Sequence, residues 1–379
     1  MANTLKFGNG QWATGNGTAL AYNDENSNFK PLPFDFTRAS SGTVVNQSGL
    51  IETVGSGIPR IDFQGNTKGA LLLEPSRTNS ITYSNDLNAS GWNTFSVDGG
   101  TVARTLNYGI SPSGKQDSTR VVFDTQFVSL YYSFSGISGD ASATMYVKGG
   151  AGKVIAFGFG SDVSFGQEFT LNGQWQRIEF NATSTNTTLN ITAWGSTRTA
   201  SDIEVYGVQL EAGSYATSYI PTSGSAVTRV AEQGIDCGAG VNIFSNTSAV
   251  WFIDLERIGI DADSSGSAMA LRNSSFNQHI RLHFNPTSAD IRFRDGLNGF
   301  ATIGTITGMN PNVRKKIALR IDGSTLSTFA NGSKIGSDYT APSSFNIQEI
   351  DFSSIGFELH NMKFYNTALT DAELIALTS

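Results

Sequence analysis

Apolar residues in this chain recur at every second position and rarely at every third or fourth. Val128, Leu130, Tyr132 and Phe134 fall in step, as do Ile155, Phe157 and Phe159, Ile178 and Phe180, Leu189 and Ile191, and Ile203 and Val205. A period of two sends alternate side chains to opposite faces of a strand, so each run predicts a strand with one buried face. Turn formers such as Gly149-Gly150-Ala151-Gly152 and Asn172-Gly173 separate the runs. A second series follows, with Trp251, Ile253 and Leu255, then Ile280, Leu282 and Phe284, Ile291 and Phe293, and Ile317, Leu319 and Ile321. Within it, Asp322-Gly323 and Asn331-Gly332 read as type I′ hairpin turns, whose central residues both need positive φ. Only the end predicts a helix: Thr370-Asp371-Ala372-Glu373 is a capping box, with Leu374, Ile375 and Leu377 behind it. Many short strands with turns between them predict a mostly β chain built of antiparallel sandwiches.

The two series divide the chain of 379 residues. Residues 81–225 predict an antiparallel jelly roll and residues 226–379 a second β-sandwich with a short C-terminal helix, with a Ser/Thr/Gly-rich linker near 221–231. Residues 1–80 carry Pro31, Pro33, Pro59 and Pro75 and little apolar periodicity. They read as an extended leader that packs on a neighbour, either the next domain or another subunit.

Charge narrows the function. Charged residues are 15% of the chain, and 25 basic against 32 acidic residues leave −7. That balance lacks the electrostatic footprint of a nucleic-acid or anionic-membrane binder. Cys237 is the one cysteine, which excludes an intrachain disulfide and a Cys-based zinc site. Residues 1–30 lack a basic segment followed by an apolar one, and no stretch is long and apolar enough to span a bilayer. Synthesis in a cytoplasm is the expectation, with release by lysis if the protein acts outside the cell.

Several spaced segments resemble a known family. Phe36-Thr37-Arg38-Ala39-Ser40, Gly49-Leu50-Ile51-Glu52, Pro59-Arg60-Ile61-Asp62-Phe63 and Leu71-Leu72-Leu73-Glu74-Pro75-Ser76-Arg77-Thr78-Asn79 are similar to a leader of bacteriophage tail-fibre and other virion fibre proteins. Tyr83-Ser84-Asn85-Asp86, Trp92, Tyr146-Val147-Lys148, Trp175-Gln176-Arg177 and the run from Gln209-Leu210-Glu211 to Tyr219-Ile220-Pro221-Thr222 resemble the carbohydrate-binding-module-like jelly roll of the same proteins. The last third, through Arg320-Ile321-Asp322-Gly323, Phe329-Ala330-Asn331-Gly332 and Phe364 to Leu374, resembles a concanavalin A-like or laminin G-like sandwich. The resemblance implies a virion protein, a structural and adhesive fibre or spike subunit on tail or head, whose modules bind host-surface glycans. It implies a homotrimer that meets other virion proteins through its N-terminal region, since fibres gain stability by burying irregular leaders between symmetry mates. An architectural decoration without ligand, or a surface-glycan depolymerase, are the alternatives.

Catalysis finds little support in the residues. Glycoside hydrolysis needs two carboxylates held about 5–10 Å apart, whereas Glu168, Glu179, Glu204 and Glu211 sit on different predicted strands or turns. Glu349 and Asp351, two apart on one strand, form the best pair, and a solvated face accounts for them as well. The three histidines, His279, His283 and His360, follow no nucleophile or metal pattern. The expectation is therefore no enzyme and no cofactor. Asp261-Ala262-Asp263-Ser264-Ser265-Gly266 opens like a calcium loop, but Arg272 stands where a bidentate Glu is needed, so a plain turn is favoured over calcium.

Two candidate glycan sites remain. Aromatic stacking on neutral sugars points to Trp92, Tyr131 and Trp194 in the jelly roll. A predicted hairpin at Asn285-Pro286-Thr287-Ser288 sets Arg281, His283, Arg292 and Arg294 on one exposed face, opposite the apolar phase. Guanidinium groups so placed suit carboxylates of an acidic polysaccharide or an acidic partner subunit.

Overall fold

The computed structural model describes residues 35–379 apart from 136, 161–165, 185–187, 194, 196, 240–244, 261–264, 297–298 and 343, together with Trp12 and the backbone of strands within residues 4–33. The chain is mostly β, with antiparallel sheets in sandwich arrangement and one short helix at the end. It forms two compact units, and they cut the sequence differently from the expected three segments. One unit comprises residues 1–47, 54–76 and 230–379; the other comprises 48–53 and 77–229.

The jelly-roll unit has two five-stranded sheets. One runs Trp92–Ser96, Val128–Ser133, Thr188–Thr192, Val154–Phe159, Gln167–Thr170; the other runs Val102–Thr105, Thr119–Phe123, Asp202–Ala212, Gly139–Gly149, Gln176–Ser184. Their facing residues form one core that includes Val128, Leu130, Tyr132, Phe157, Leu189, Ile191, Ile203 and Val205, the alternating positions of the sequence. The run from Gln209 to Thr222 folds back on this sheet through its own side chains. Glu211 accepts from the Thr217 amide (2.9 Å) and hydroxyl (2.6 Å), and Gln209 accepts from the Ile220 amide at 2.6 Å. Asn79, fully buried, donates to the Val208 and Ile220 carbonyls and accepts from the Ile81 and Leu210 amides. Buried polar groups are tolerated when they are bonded in this way. Gly213 permits the fold-back, since at φ +128° a Cβ there would stand 2.6 Å from the Arg77 guanidinium.

The second unit is a larger sandwich. Its first sheet contains, in order, Thr4–Gly8, Phe357–Tyr365, Ser248–Arg257, Arg314–Asp322, Thr325–Ala330 and Ser333–Thr340. Its second runs Ala301–Thr307, Ser288–Arg294, His279–Phe284, Gly266–Arg272, Glu349–Phe352, Gln233–Cys237, Asp35–Thr37. Trp251, Ile253, Ile280, Leu282, Phe284, Ile291, Phe293, Ile317 and Leu319 meet between them. The helix Asp371–Thr378 starts at the expected capping box and lays Leu374 on Val250, Phe252, Ala318 and Phe329, outside the first sheet. Asn331-Gly332 forms its turn with φ of +47° and +73°, as type I′ requires. The other turn is shifted by one residue: Asp322 pairs with Thr325, so Gly323 and Ser324 are central and only Gly323 has positive φ.

The leader is not a separate segment. Asp35–Thr37 pairs with Gln233–Cys237, while Ala70–Leu73 pairs with both Phe357–Tyr365 and Arg60–Asp62. Leu71 and Leu73 enter the sandwich core. A sequence too poor in apolar residues to make its own core thus completes another's edge, and pairing shields what would otherwise be open strand edges.

A buried ionic cluster joins these distant stretches. Arg60 binds both carboxylate oxygens of Glu232 and, at 2.6 Å, Glu74; Arg38 reaches Glu232 at 3.1 Å. All four side chains are within 2% of complete burial. Burial works against the Arg60 charge, but Glu74 and Glu232 outweigh it and hold the guanidinium above its ordinary pKa. The Glu74 amide also donates to Glu232, and the Glu232 amide donates to the Glu74 carbonyl. Removing one partner leaves buried charge uncompensated. Glu232→Gln is therefore expected to destabilise the sandwich by ~3–5 kcal/mol, measured as a lowered denaturant midpoint with an unchanged slope.

Candidate functional site

The hairpin over Asn285–Ser288 forms as expected, the Asn285 amide donating to the Ser288 carbonyl at 2.8 Å. Its strands stand in register with His279 opposite Arg294, Arg281 opposite Arg292 and His283 opposite Asp290. Ile280, Leu282, Ile291 and Phe293 take the core side, so these six residues form a grid on the other face. Like charges directly opposite each other are unfavourable, and the cluster relieves only one of its arginines. Arg292 is held by Asp290 at 2.7 Å and by the Asn285 side chain at 3.2 Å. Burial works against the Asp290 charge, yet bonds from Asn285, Arg292 and Thr305 keep its carboxyl below the ordinary range. Among the described residues, neither Arg281 nor Arg294 has a carboxylate partner.

Two aromatic rings that the sequence reading did not single out complete the face. Phe300, 43% exposed, lies under Arg281 at 3.7 Å and beside Arg294 at 5.6 Å. Phe276, 47% exposed in a turn at φ +57°, sits beside Arg272 at 5.4 Å. Between the rings lies His279, almost wholly buried, 4.7 Å from Phe276 and 5.4 Å from Phe300. Burial, Arg292 and Arg294 all depress the Arg281 pKa, so no nearby group supports its charge. The Arg281 Nε, His279 Nε2 and His283 Nδ1 atoms are buried and have no hydrogen-bond partner among the described residues. Unsatisfied buried polar atoms are uncommon, and several on one face mark a place where a ligand or water belongs. A loop phenylalanine amid Ser, Asn and Gly was the available signal, since an apolar ring there has no periodic reason to exist.

The jelly-roll candidates fare differently. Trp92 is 5% exposed, packs edge-on against Tyr132 at 5.3 Å and donates Nε1 to the Tyr83 carbonyl at 3.3 Å. It is a core residue, not a stacking platform, because its strand turns it inward. Tyr131 is half-buried on the non-core face, in register with Asn93 and Asn190. Trp194 lies outside the described residues, as do Asp261 to Ser264 of the calcium-like loop. Ser265, next in that loop, bonds His283 Nε2 at 3.1 Å. Among the described residues no cluster of His, Cys, Asp or Glu is placed to hold a metal, and no helix is long and apolar enough to cross a membrane.

The carboxylates are engaged elsewhere. Glu349 and Asp351, together with Asp236, surround the single guanidinium of Arg272. A second cluster lies on the outer face of the first sheet. There His360 Nε2 stands 3.6 Å from Glu256 and 3.7 Å from Glu358. Asn66 donates to the Gly69 carbonyl and accepts from the Lys68 amide, which fixes its amide so that Nδ2 faces His360 Nδ1 at 2.8 Å. His360 therefore accepts at Nδ1 and carries its proton on Nε2.

No family model and no curated protein sequence matches the chain. Solved structures similar to parts of it include a botulinum neurotoxin type G receptor-binding domain, 9% identical with a TM-score of 0.30, covering 38% of each chain. The binding domain of paraclostridial mosquitocidal protein 1 is 16% identical with a TM-score of 0.32, covering 38% of this chain and 40% of that one. A Caenorhabditis elegans galectin is 18% identical with a TM-score of 0.26, covering 33% of this chain and 86% of its own. The chain spans about two fifths of the length of the first two.

Glu358 makes stability depend on pH. Burial first, then Asp62, Glu256 and Glu74, push its carboxyl up to about 8, against relief from Arg314. The native state thus prefers the protonated form. This contribution is complete below the ordinary value of 4.5 and is lost as pH rises through about 8. Glu358→Gln should nearly match the wild type near pH 4.5 and exceed it at pH 8 by about 4 kcal/mol, read from denaturation curves across that range.

Proposed function

We propose that this chain is a structural and adhesive subunit of a bacteriophage fibre or spike, and that its C-terminal sandwich binds an acidic glycan of the host surface. The fibre reading rests on the spaced segments of residues 34–232 that resemble virion fibre proteins. The observation that carries the binding reading is Arg281, a half-buried guanidinium without a carboxylate partner among the described residues, packed on the exposed ring of Phe300. A uronate or similar acidic sugar suits this pairing. Its carboxylate takes the N–H groups of Arg281 and Arg294 in charge-assisted bonds, and its C–H-rich ring face rests on Phe300 or Phe276.

The role is non-catalytic in this reading: Glu349 and Asp351 neutralise Arg272 instead of flanking a glycosidic bond. The same proposal has the protein act as a homotrimer on the virion, joined to other virion proteins through its N-terminal residues and without a resident cofactor.

A panel of acidic and neutral glycans tests the binding reading. Wild-type protein should retain acidic glycans selectively. Arg281→Ala and Arg294→Ala should each lower that affinity by ~10- to 100-fold, the loss of one hydrogen bond to a charged group, with circular dichroism unchanged. Binding equal to wild type in both folded variants, or no acidic glycan retained at all, overturns it.

A further inference from the structure

The grid around Arg281 contains two histidines whose environment is set by the same charges a ligand would neutralise. His279 and His283 flank Arg281 two residues away on each side, with Arg294 and Asp290 directly across the ladder from them. Among the described residues, the charged groups on the strands beside them are few. The neighbouring strand Gly266–Arg272 brings Arg272, already shared by Asp236, Glu349 and Asp351. The strand Ser288–Arg294 brings Asp290, committed to Arg292, together with Arg292 and Arg294. The strand Ala301–Thr307 brings no titratable side chain. Among the described residues, the charge beside His279 that no carboxylate balances is therefore that of Arg281 and Arg294, and beside His283 it is that of Arg281.

The histidines also hold unused hydrogen-bonding capacity. His279 Nδ1 lies 3.3 Å from the Phe276 carbonyl, which can only accept, so that nitrogen bears the proton and Nε2 is left with a lone pair and no partner. His283 uses Nε2 on Ser265 and leaves Nδ1 unpartnered. Burial comes first, and then the neighbouring arginines, in holding both imidazoles below their ordinary pKa. Both are thus largely neutral at pH 7 in the empty site.

We propose that anion binding at Arg281 and Arg294 is coupled to uptake of solvent protons by His279 and His283, so that the site grips its ligand more tightly as the medium becomes more acidic. This rests on the acidic-ligand reading above and adds regulation to it. The step is an association with no covalent change. The anion cancels the arginine charge, and each imidazole that gains a proton carries N–H on both ring nitrogens, so that its unpartnered nitrogen is a donor. By linkage, whatever raises the proton affinity on ligand binding raises ligand affinity on protonation.

Nuclear magnetic resonance of the full chain gives a direct test, because only three histidines are present. His360 lies on the other sheet and serves as an internal control. The probe is inorganic sulfate, titrated at low ionic strength while the three imidazole Cε1–H signals are followed from pH 4.5 to 8. His279→Gln and His283→Gln assign the signals. Sulfate should raise the midpoints of His279 and His283 by ~0.5 unit or more and leave that of His360 in place. Its affinity should rise roughly three- to tenfold between pH 7.5 and 5.5.

Arg281→Gln should raise the resting midpoints and abolish the response to sulfate. Arg294→Gln, at an exposed position, repeats the test if the first variant fails to fold. Sulfate that binds in an Arg281-dependent way without moving either midpoint overturns the coupling and leaves the acidic-ligand reading standing. Absence of binding by both sulfate and acidic glycans overturns both.

Discussion

Glu232 holds together a sandwich whose chain is interrupted by another domain. Residues 77–229 belong to the jelly-roll unit, so the larger unit must bring Ser76 and Val230 close together although 153 residues separate them. The Glu74 and Glu232 backbones bond to one another, and the Glu232 carboxylate gathers Arg38, Arg60 and the Glu74 amide. Within the jelly roll the same demand is met by pairing Arg77–Asn79 with Val227–Arg229. Two arginines and two glutamates cancel in charge, which is what allows such a cluster to be buried. It does more for register than hydrophobic contact would, since a guanidinium with several acceptors accepts one geometry while an aliphatic side chain accepts many.

This clasp changes the meaning of the resemblance to fibre proteins. Thr37-Arg38, Pro59-Arg60 and Leu73-Glu74 look like an attachment motif when read along the chain, yet they carry the ion pairs of the sandwich. The run Gln209 to Thr222 behaves similarly, its Glu, Gln and Thr side chains stapling a loop to a strand. Spaced polar motifs of this kind report how a domain closes. Binding surfaces have to be sought elsewhere, among side chains that the fold does not consume.

What could be read in advance follows from the range of each interaction. Strand phase, the Asn285–Ser288 hairpin and the Thr370 cap are decided by neighbours in sequence, and they stand where the alternation and the capping box put them. The destination of the leader is decided by which edge is open in a sheet completed some 300 residues later, at Phe357–Tyr365, and no local pattern encodes that. The same division holds at the site. Alternation placed Arg281, His283, Arg292 and Arg294 on one face, whereas Phe276 and Phe300 reach it from loops, and His279 is buried between those rings. Trp92 failed as a stacking residue for a related reason: its neighbours Asn93 and Thr94 are exposed and its own phase turns it into the core.

Binding therefore depends on which charges the fold leaves over. Arg38 and Arg60 are taken by the clasp, Arg272 by three carboxylates, Arg314 by Asp254, Arg320 by Asp371, Arg292 by Asp290, and Arg257 by backbone carbonyls. A chain with more acidic than basic residues has carboxylates to spare, so two neighbouring arginines without one among the described residues are not explained by shortage. Arg281 is also partly desolvated and faces another arginine across the ladder, two costs that a single carboxylate on the adjacent strand would remove. Local rules are broken in a folded protein chiefly where something outside the chain completes them. In the proposed reading the missing component at this face is an anion, and the exposed phenylalanines beside it favour one carried on an apolar-faced ring such as a sugar.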